Sequence, residues 1–105
     1  MELKEIFPEI AKLTIRYEII PAAGIGVRSS EHEKVMMPND YFMDRILCPA
    51  RCGRAVPLLD KVIHCAENRL TDYEFRHRCE GPYQSPDTRQ VCGTGFIVQI
   101  HVAYL

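Results

Sequence analysis

Apolar and polar positions alternate most cleanly in two stretches of the chain. From Lys12 onward, Leu13, Ile15, Tyr17 and Ile19 fall on one side and Thr14, Arg16 and Glu18 on the other, which predicts a strand with one solvated face. Near the other end, Phe96, Val98, Ile100 and Val102 alternate with Ile97, Gln99, His101 and Ala103. This strand has a partly apolar second face through Ile97, Tyr104 and Leu105, so it is expected to pack on the amino-terminal strand or on another subunit. Elsewhere the period changes. Leu3, Ile6, Phe7, Ile10 and Leu13 have helical spacing and predict a short amphipathic helix that kinks or begins at Pro8.

Pro21 to Gly26 reads as a turn, and its Gly-Ile-Gly lacks the spacing and the lysine of a phosphate-binding loop. Ser29 to Lys34 is polar and expected to be exposed. After Pro38, Asn39 or Asp40 is expected to cap a helix running through Leu47, with Phe42, Met43 and Ile46 inward. Met36, Met37 and Met43 read as core fillers. In the carboxyl half, Pro57–Cys65 and Tyr73–Cys79 read as strands around a turn region at Asn68–Asp72, joining the last strand in a three-stranded antiparallel sheet. The expected fold class is α+β, mainly β. Residues 1–44 would supply a helix and a strand, and residues 45–105 a second part of one domain.

Composition narrows this picture only a little. With 105 residues, 47% of them hydrophobic, the chain can bury a modest core that a staple would help to hold. A formal net charge of -1 excludes a surface that grips nucleic acid all round. The charge is uneven, however: residues 1–44 carry 5 Lys and Arg against 8 Asp and Glu, and residues 45–105 carry 8 against 6. No run approaches the roughly 20 apolar residues of a membrane span. The start, Met1-Glu2-Leu3-Lys4-Glu5, has no signal-peptide character, so a reducing cytoplasmic setting is expected.

In such a setting five cysteines suit metal ligation better than disulfides, since four can ligate and one is left over. Two Cys-Gly steps stand out: Cys48-Pro49-Ala50-Arg51-Cys52-Gly53 and Cys92-Gly93-Thr94-Gly95-Phe96, with Cys65 and Cys79 between them. A knuckle needs two thiolates at a tight turn, and a glycine after the second lets the backbone close with a positive φ. Cys48, Cys52, Cys79 and Cys92 are therefore the candidate ligands of a structural Zn2+. Cys65, His77 and His64 are alternative donors. A closed four-thiolate site leaves no position for water and so argues for a role in folding rather than hydrolysis.

The Cys-Pro...Cys-Gly knuckle, the Tyr73-bearing strand entering Cys79, and the closing Cys92-Gly93-x-x-Phe96 resemble a zinc ribbon over residues 46–100. Among ribbons the chain is most similar to the Ogr/Delta-type phage late-transcription activators and the ribbons of transcription-elongation factors. That resemblance implies a zinc-ribbon-like carboxyl half and a transcription-related setting. The chain departs from the ribbon pattern at both knuckles: the first holds three residues (Pro49–Arg51) where ribbons usually have about two, and the second twelve (Glu80–Val91) where they usually have about two to four. The longer segment can loop out, because closure cost grows slowly with length.

The functional expectation is a non-catalytic structural-zinc module that binds a protein or nucleic acid. Arg54, Arg76 and Arg78 are the candidate partner-binding cations beside the aromatic Tyr73 and Phe75. Cross-strand ion pairing among Asp72, Glu74 and Glu80 would explain the same arginines structurally. The alternatives are a small homo-oligomer, with homodimer pairing through the C-terminal strand, and a thiol-dependent enzyme using Cys65.

Overall fold

The computed structural model describes residues 1–21, 29–49, 53–80 and 93–105. It is mainly β. One helical turn, α1 (Leu3–Ile6), leads into β1 (Ile10–Ile20), followed by β2 (Ser30–Met36), β3 (Arg45–Leu47), β4 (Ala55–Pro57), helix α2 (Leu59–Glu67), β5 (Asp72–Arg78) and β6 (Gly95–Tyr104). The long strands form one antiparallel sheet in the order β2-β1-β6-β5, and β3 and β4 pair separately as a hairpin.

Register sorts the side chains into two faces. Leu13, Ile15, Tyr17 and Ile19 on β1 oppose Val102, Ile100, Val98 and Phe96 on β6, and those last three oppose Tyr73, Phe75 and His77 on β5. This face is the core side, where Leu13, Ile15, Val98 and Val102 are at most 1% exposed. Burying each such side chain is worth about 1.5–3 kcal/mol relative to exposure. Leu3, Phe7, Ile46, Val56, Leu58 and Val62 complete the same apolar cluster. The opposite face carries Thr14, Arg16, Glu18, Gln99, His101, Glu74 and Arg76, and no helix among the described residues is packed on it in the core cluster.

The alternating strands appear where the pattern puts them, and several other expectations change, three of them in kind. The first is the stretch Pro57–Cys65, which is not a strand. Leu58, Val62 and Cys65 recur at helical spacing, and as α2 they bury Val62 and Cys65 completely against the sheet. A strand over the same residues would expose half of them. The second is the segment from Asn39 to Leu47, which does not form a helix. The Asp40 carboxylate accepts the Met37 N–H at 2.7 Å, closing a turn, while the carbonyls of Pro38 and Asp40 accept the N–H groups of Lys4 and Leu3. The would-be cap is used to dock α1, and the chain then extends into β3.

The third is the C-terminal strand, which is not an edge. β6 lies between β1 and β5 and is hydrogen-bonded on both sides, so the expected homodimer pairing through it has no free backbone to use. Among the described residues the edges of the sheet are β2 and β5. The two sequence parts are interleaved, since β1 and β2 share a sheet with β5 and β6. Ser29–Lys34 is exposed as expected apart from half-buried Ser30, yet from Ser30 on the chain is a strand, and its run of charges suits an edge. The predicted helix at the start shrinks to α1, because Pro8 follows and Ile10 and Leu13 serve β1.

The end of α2 is built with care. Arg69 has φ 52°, and the N–H groups of Arg69 and Leu70 donate to the carbonyls of Ala66 and Cys65, the pattern of a Schellman cap. The Tyr104 hydroxyl reaches the carbonyls of Cys65 and Leu70 at 2.9 and 2.7 Å, tying β6 to that cap. The Arg69 guanidinium lies 4.3 Å from the Tyr104 ring centroid. That contact holds a side chain in a conformation that glycine would adopt more readily.

Candidate metal centre and the sheet edge

Cys48 and Cys79 each directly follow a strand, and Gly53 and Gly93 each stand two residues before one. Cys48 follows β3 directly, and its N–H donates to the Arg54 carbonyl at 3.1 Å, continuing the β3–β4 ladder around the first step. Cys79 follows β5. Its N–H donates to the Thr94 carbonyl at 2.8 Å and its carbonyl accepts the Gly93 N–H at 2.9 Å. These two bonds bring Cys79 and Gly93 side by side at that end of the sheet.

The glycines that follow the second cysteine of each pair share one conformation. Gly53 has φ 74° and Gly93 has φ 70°, the left-handed region that a knuckle requires. Cys79 is 2% exposed and belongs to the core cluster, and Cys48 is half-buried and packs against that cluster. α2 runs antiparallel to β5, since Lys61 lies over Phe75 and His64 beside Tyr73. The β3–β4 hairpin enters α2 at its start, and thus joins the fold toward the end of the sheet where β5 runs out to Cys79.

Cys52 and Cys92 lie outside the described residues, as does the turn expected at Pro21–Gly26 beyond Pro21. Among the described residues no group of three or more His, Cys, Asp or Glu side chains is arranged to hold a metal ion. The alternative donors are dispersed. Cys65 is fully buried within α2, where burial pushes its thiol above the ordinary range. A thiol so placed suits a core group rather than the nucleophile of the alternative enzymatic reading. His64 is exposed on α2 with its ring centroid 5.2 Å from that of Tyr73, and Asn68 is within 3.4 Å of its Nδ1. His77 is half-buried on the core side of β5, 6.2 Å from Phe96 between ring centroids.

The arginines segregate from that histidine. Arg76 and Arg78 point to the uncovered face, opposite Ile97 and Gly95, and Arg54 is exposed beside the first knuckle. None of the three makes an ion pair among the described residues. The pairs on this face are elsewhere: Arg16 with Glu33 at 3.2 Å, and His101 Nδ1 with Asp72 Oδ1 at 2.8 Å. The hydrogen bond from His101 holds the Asp72 carboxyl below its ordinary value. Two concavities of about 510 and 690 Å³ run along the face and share Arg16, Glu33 and Gln99. The sequence pointed to the cations of β5; it carried no signal for the concave face, which exists only once β1 is inserted between β2 and β6.

No protein-family model, curated protein or solved structure matches the chain. No helix among the described residues is long and apolar enough to cross a membrane.

Proposed function

We propose that this protein is a non-catalytic interaction module whose two hairpin ends are stapled by a structural zinc ion. The observation that carries the reading is the shared left-handed conformation of Gly53 and Gly93, each of which follows a cysteine directly in the sequence. Cys48 and Cys79 fit the ion chemically, being sulfur donors at the border of the core rather than on open surface. With Cys52 and Cys92 they would make the four-thiolate set. Bound zinc would supply folding energy, about 10–16 kcal/mol in small zinc domains, and no reaction chemistry.

The working surface is the uncovered face of the four-stranded sheet with its β5 edge. Arg76 and Arg78 alternate there with Asp72 and Glu74, a mixture that suits a protein surface of matching charge better than a phosphate backbone. Arg54, Arg76 and Arg78 favour a nucleic-acid partner as the second reading, and salt-dependent binding to oligonucleotides would select it. A transcription-related setting rests on the ribbon resemblance alone, and a reducing, cytoplasmic compartment on the use of cysteine as ligand. Replacing Cys52 by Ser is expected to lower zinc content and the melting temperature together; a variant with full metal and unchanged melting removes Cys52 from the site.

A further inference from the structure

The β5 sequence is self-complementary when read against itself in the opposite direction. Asp72-Tyr73-Glu74-Phe75-Arg76-His77-Arg78 places acid, aromatic, acid before Phe75 and base, His, base after it. Among the described residues β5 is also an edge of the sheet, paired on one side only. We infer that two copies of this chain pair antiparallel through β5 about a two-fold axis at Phe75, making one continuous eight-stranded sheet. The inference names the partner of the interaction surface, and it rests on the edge geometry without the metal.

The hydrogen-bond phase of β5 permits the pairing. The Thr71 carbonyl accepts the Val102 N–H, and the Cys79 N–H donates to the Thr94 carbonyl. Odd-numbered residues of β5 thus turn their backbone groups toward β6, and Asp72, Glu74, Arg76 and Arg78 turn theirs outward. In the dimer Glu74 sits opposite the partner's Arg76, and Asp72 opposite the partner's Arg78, each as a hydrogen-bonded residue pair. Each pair recurs by symmetry, giving about eight backbone hydrogen bonds in all.

Charge and packing agree with that phase. On the uncovered face every juxtaposed pair is acid against base, and Glu74, Arg76 and Arg78 have no ion pair among the described residues. On the core side Phe75 meets the partner's Phe75 at a close, non-hydrogen-bonded position, and Tyr73 meets the partner's His77. Tyr73, Phe75 and His77 are only half-buried in the single chain, so the second copy covers aromatic surface that α2 leaves open. Lys61, 5.2 Å from the Phe75 ring centroid, approaches the partner's Lys61, a like-charge encounter that its flexible stem can relieve. A seven-residue strand contact is small for an interface, which sets the expected dissociation constant in the micromolar range.

Single charge reversals give a direct test by sedimentation velocity and native mass spectrometry. Glu74→Arg sets arginine against the partner's Arg76, and Arg76→Glu sets glutamate against the partner's Glu74. Each variant alone is expected to weaken self-association about tenfold or more. Mixed one to one, they restore opposite charges at every position and are expected to form a heterodimer. Both positions are exposed, so melting curves taken well below the dissociation constant, where all three proteins are monomers, should match the parent and separate lost pairing from lost folding. A parent chain that stays monomeric from about 1 to 200 μM, a range that brackets the expected constant, overturns the proposal. So does a dimer indifferent to both reversals, or a mixture that yields no heterodimer. Metal content, measured separately on the same samples, reports the zinc reading.

Discussion

Replacing Gly53 by Ala isolates the conformational demand of the first hairpin end. At φ 74° a side chain is strained, yet a Cβ built there meets nothing within 4 Å, so no steric term is added. The left-handed conformation costs an L-residue about 1–2 kcal/mol. Reduced entropy of the unfolded chain offsets about 0.4–1 kcal/mol of that. The net loss is therefore about 0–1.6 kcal/mol and about 0.8 kcal/mol at the midpoints, which for a chain of this size lowers the melting temperature by about 5 °C. Asn tolerates the left-handed region, so Gly53→Asn should lose less than half as much as Gly53→Ala, and β-branched Gly53→Val should lose more than either. Thermal and urea denaturation followed by circular dichroism would give the order. An Ala variant more stable than the parent, or an Asn variant worse than Ala, would refute a left-handed Gly53 as the reason for the glycine.

Two further outcomes follow from named contacts. Tyr104→Phe removes the hydroxyl that bridges the Cys65 and Leu70 carbonyls while keeping the ring under Arg69, and should cost about 1–2 kcal/mol, read as a lower urea midpoint at constant slope. The Asp72 carboxyl is lowered by its bond from His101, so its stabilisation is present above the unfolded value of 3.8 and is lost as pH falls through the lower folded value. Asp72→Asn should flatten the acid limb of the stability profile, and an unchanged limb would show that the His101 contact does not outlast solvent screening.

How much was legible differs element by element. β1, β5 and β6 could be read from sequence because each buries one face, and burial writes a period of two. β2 could not, since it is an edge whose residues before Met36 are nearly all solvated, so neither period is enforced. α2 was misread for the opposite reason: Leu58, Leu59, Val62, Ile63 and Cys65 are dense enough in apolar residues to suit either period. Only the sheet beneath, by burying Val62 and Cys65 and leaving Ile63 exposed, selects the helical one. Sheet order lay beyond the sequence, because the β1–β6 ladder joins residues as far apart as Ile10 and Tyr104. At the candidate centre the glycine requirement was legible at both Cys-Gly steps. The arginine direction was legible too, since Arg76 and Arg78 lie two apart on a strand. The role of Asp72 was not, as its His101 partner comes from a strand adjacent only in space.

The claim that a metal staples the hairpin ends is tested most directly by zinc stoichiometry. The measurement is elemental analysis paired with native mass on protein purified without chelator. One zinc per chain, with the fold lost on chelation, is the predicted result. A folded, metal-free protein that is indifferent to chelator would contradict it, and the two left-handed glycines would then be hairpin geometry alone.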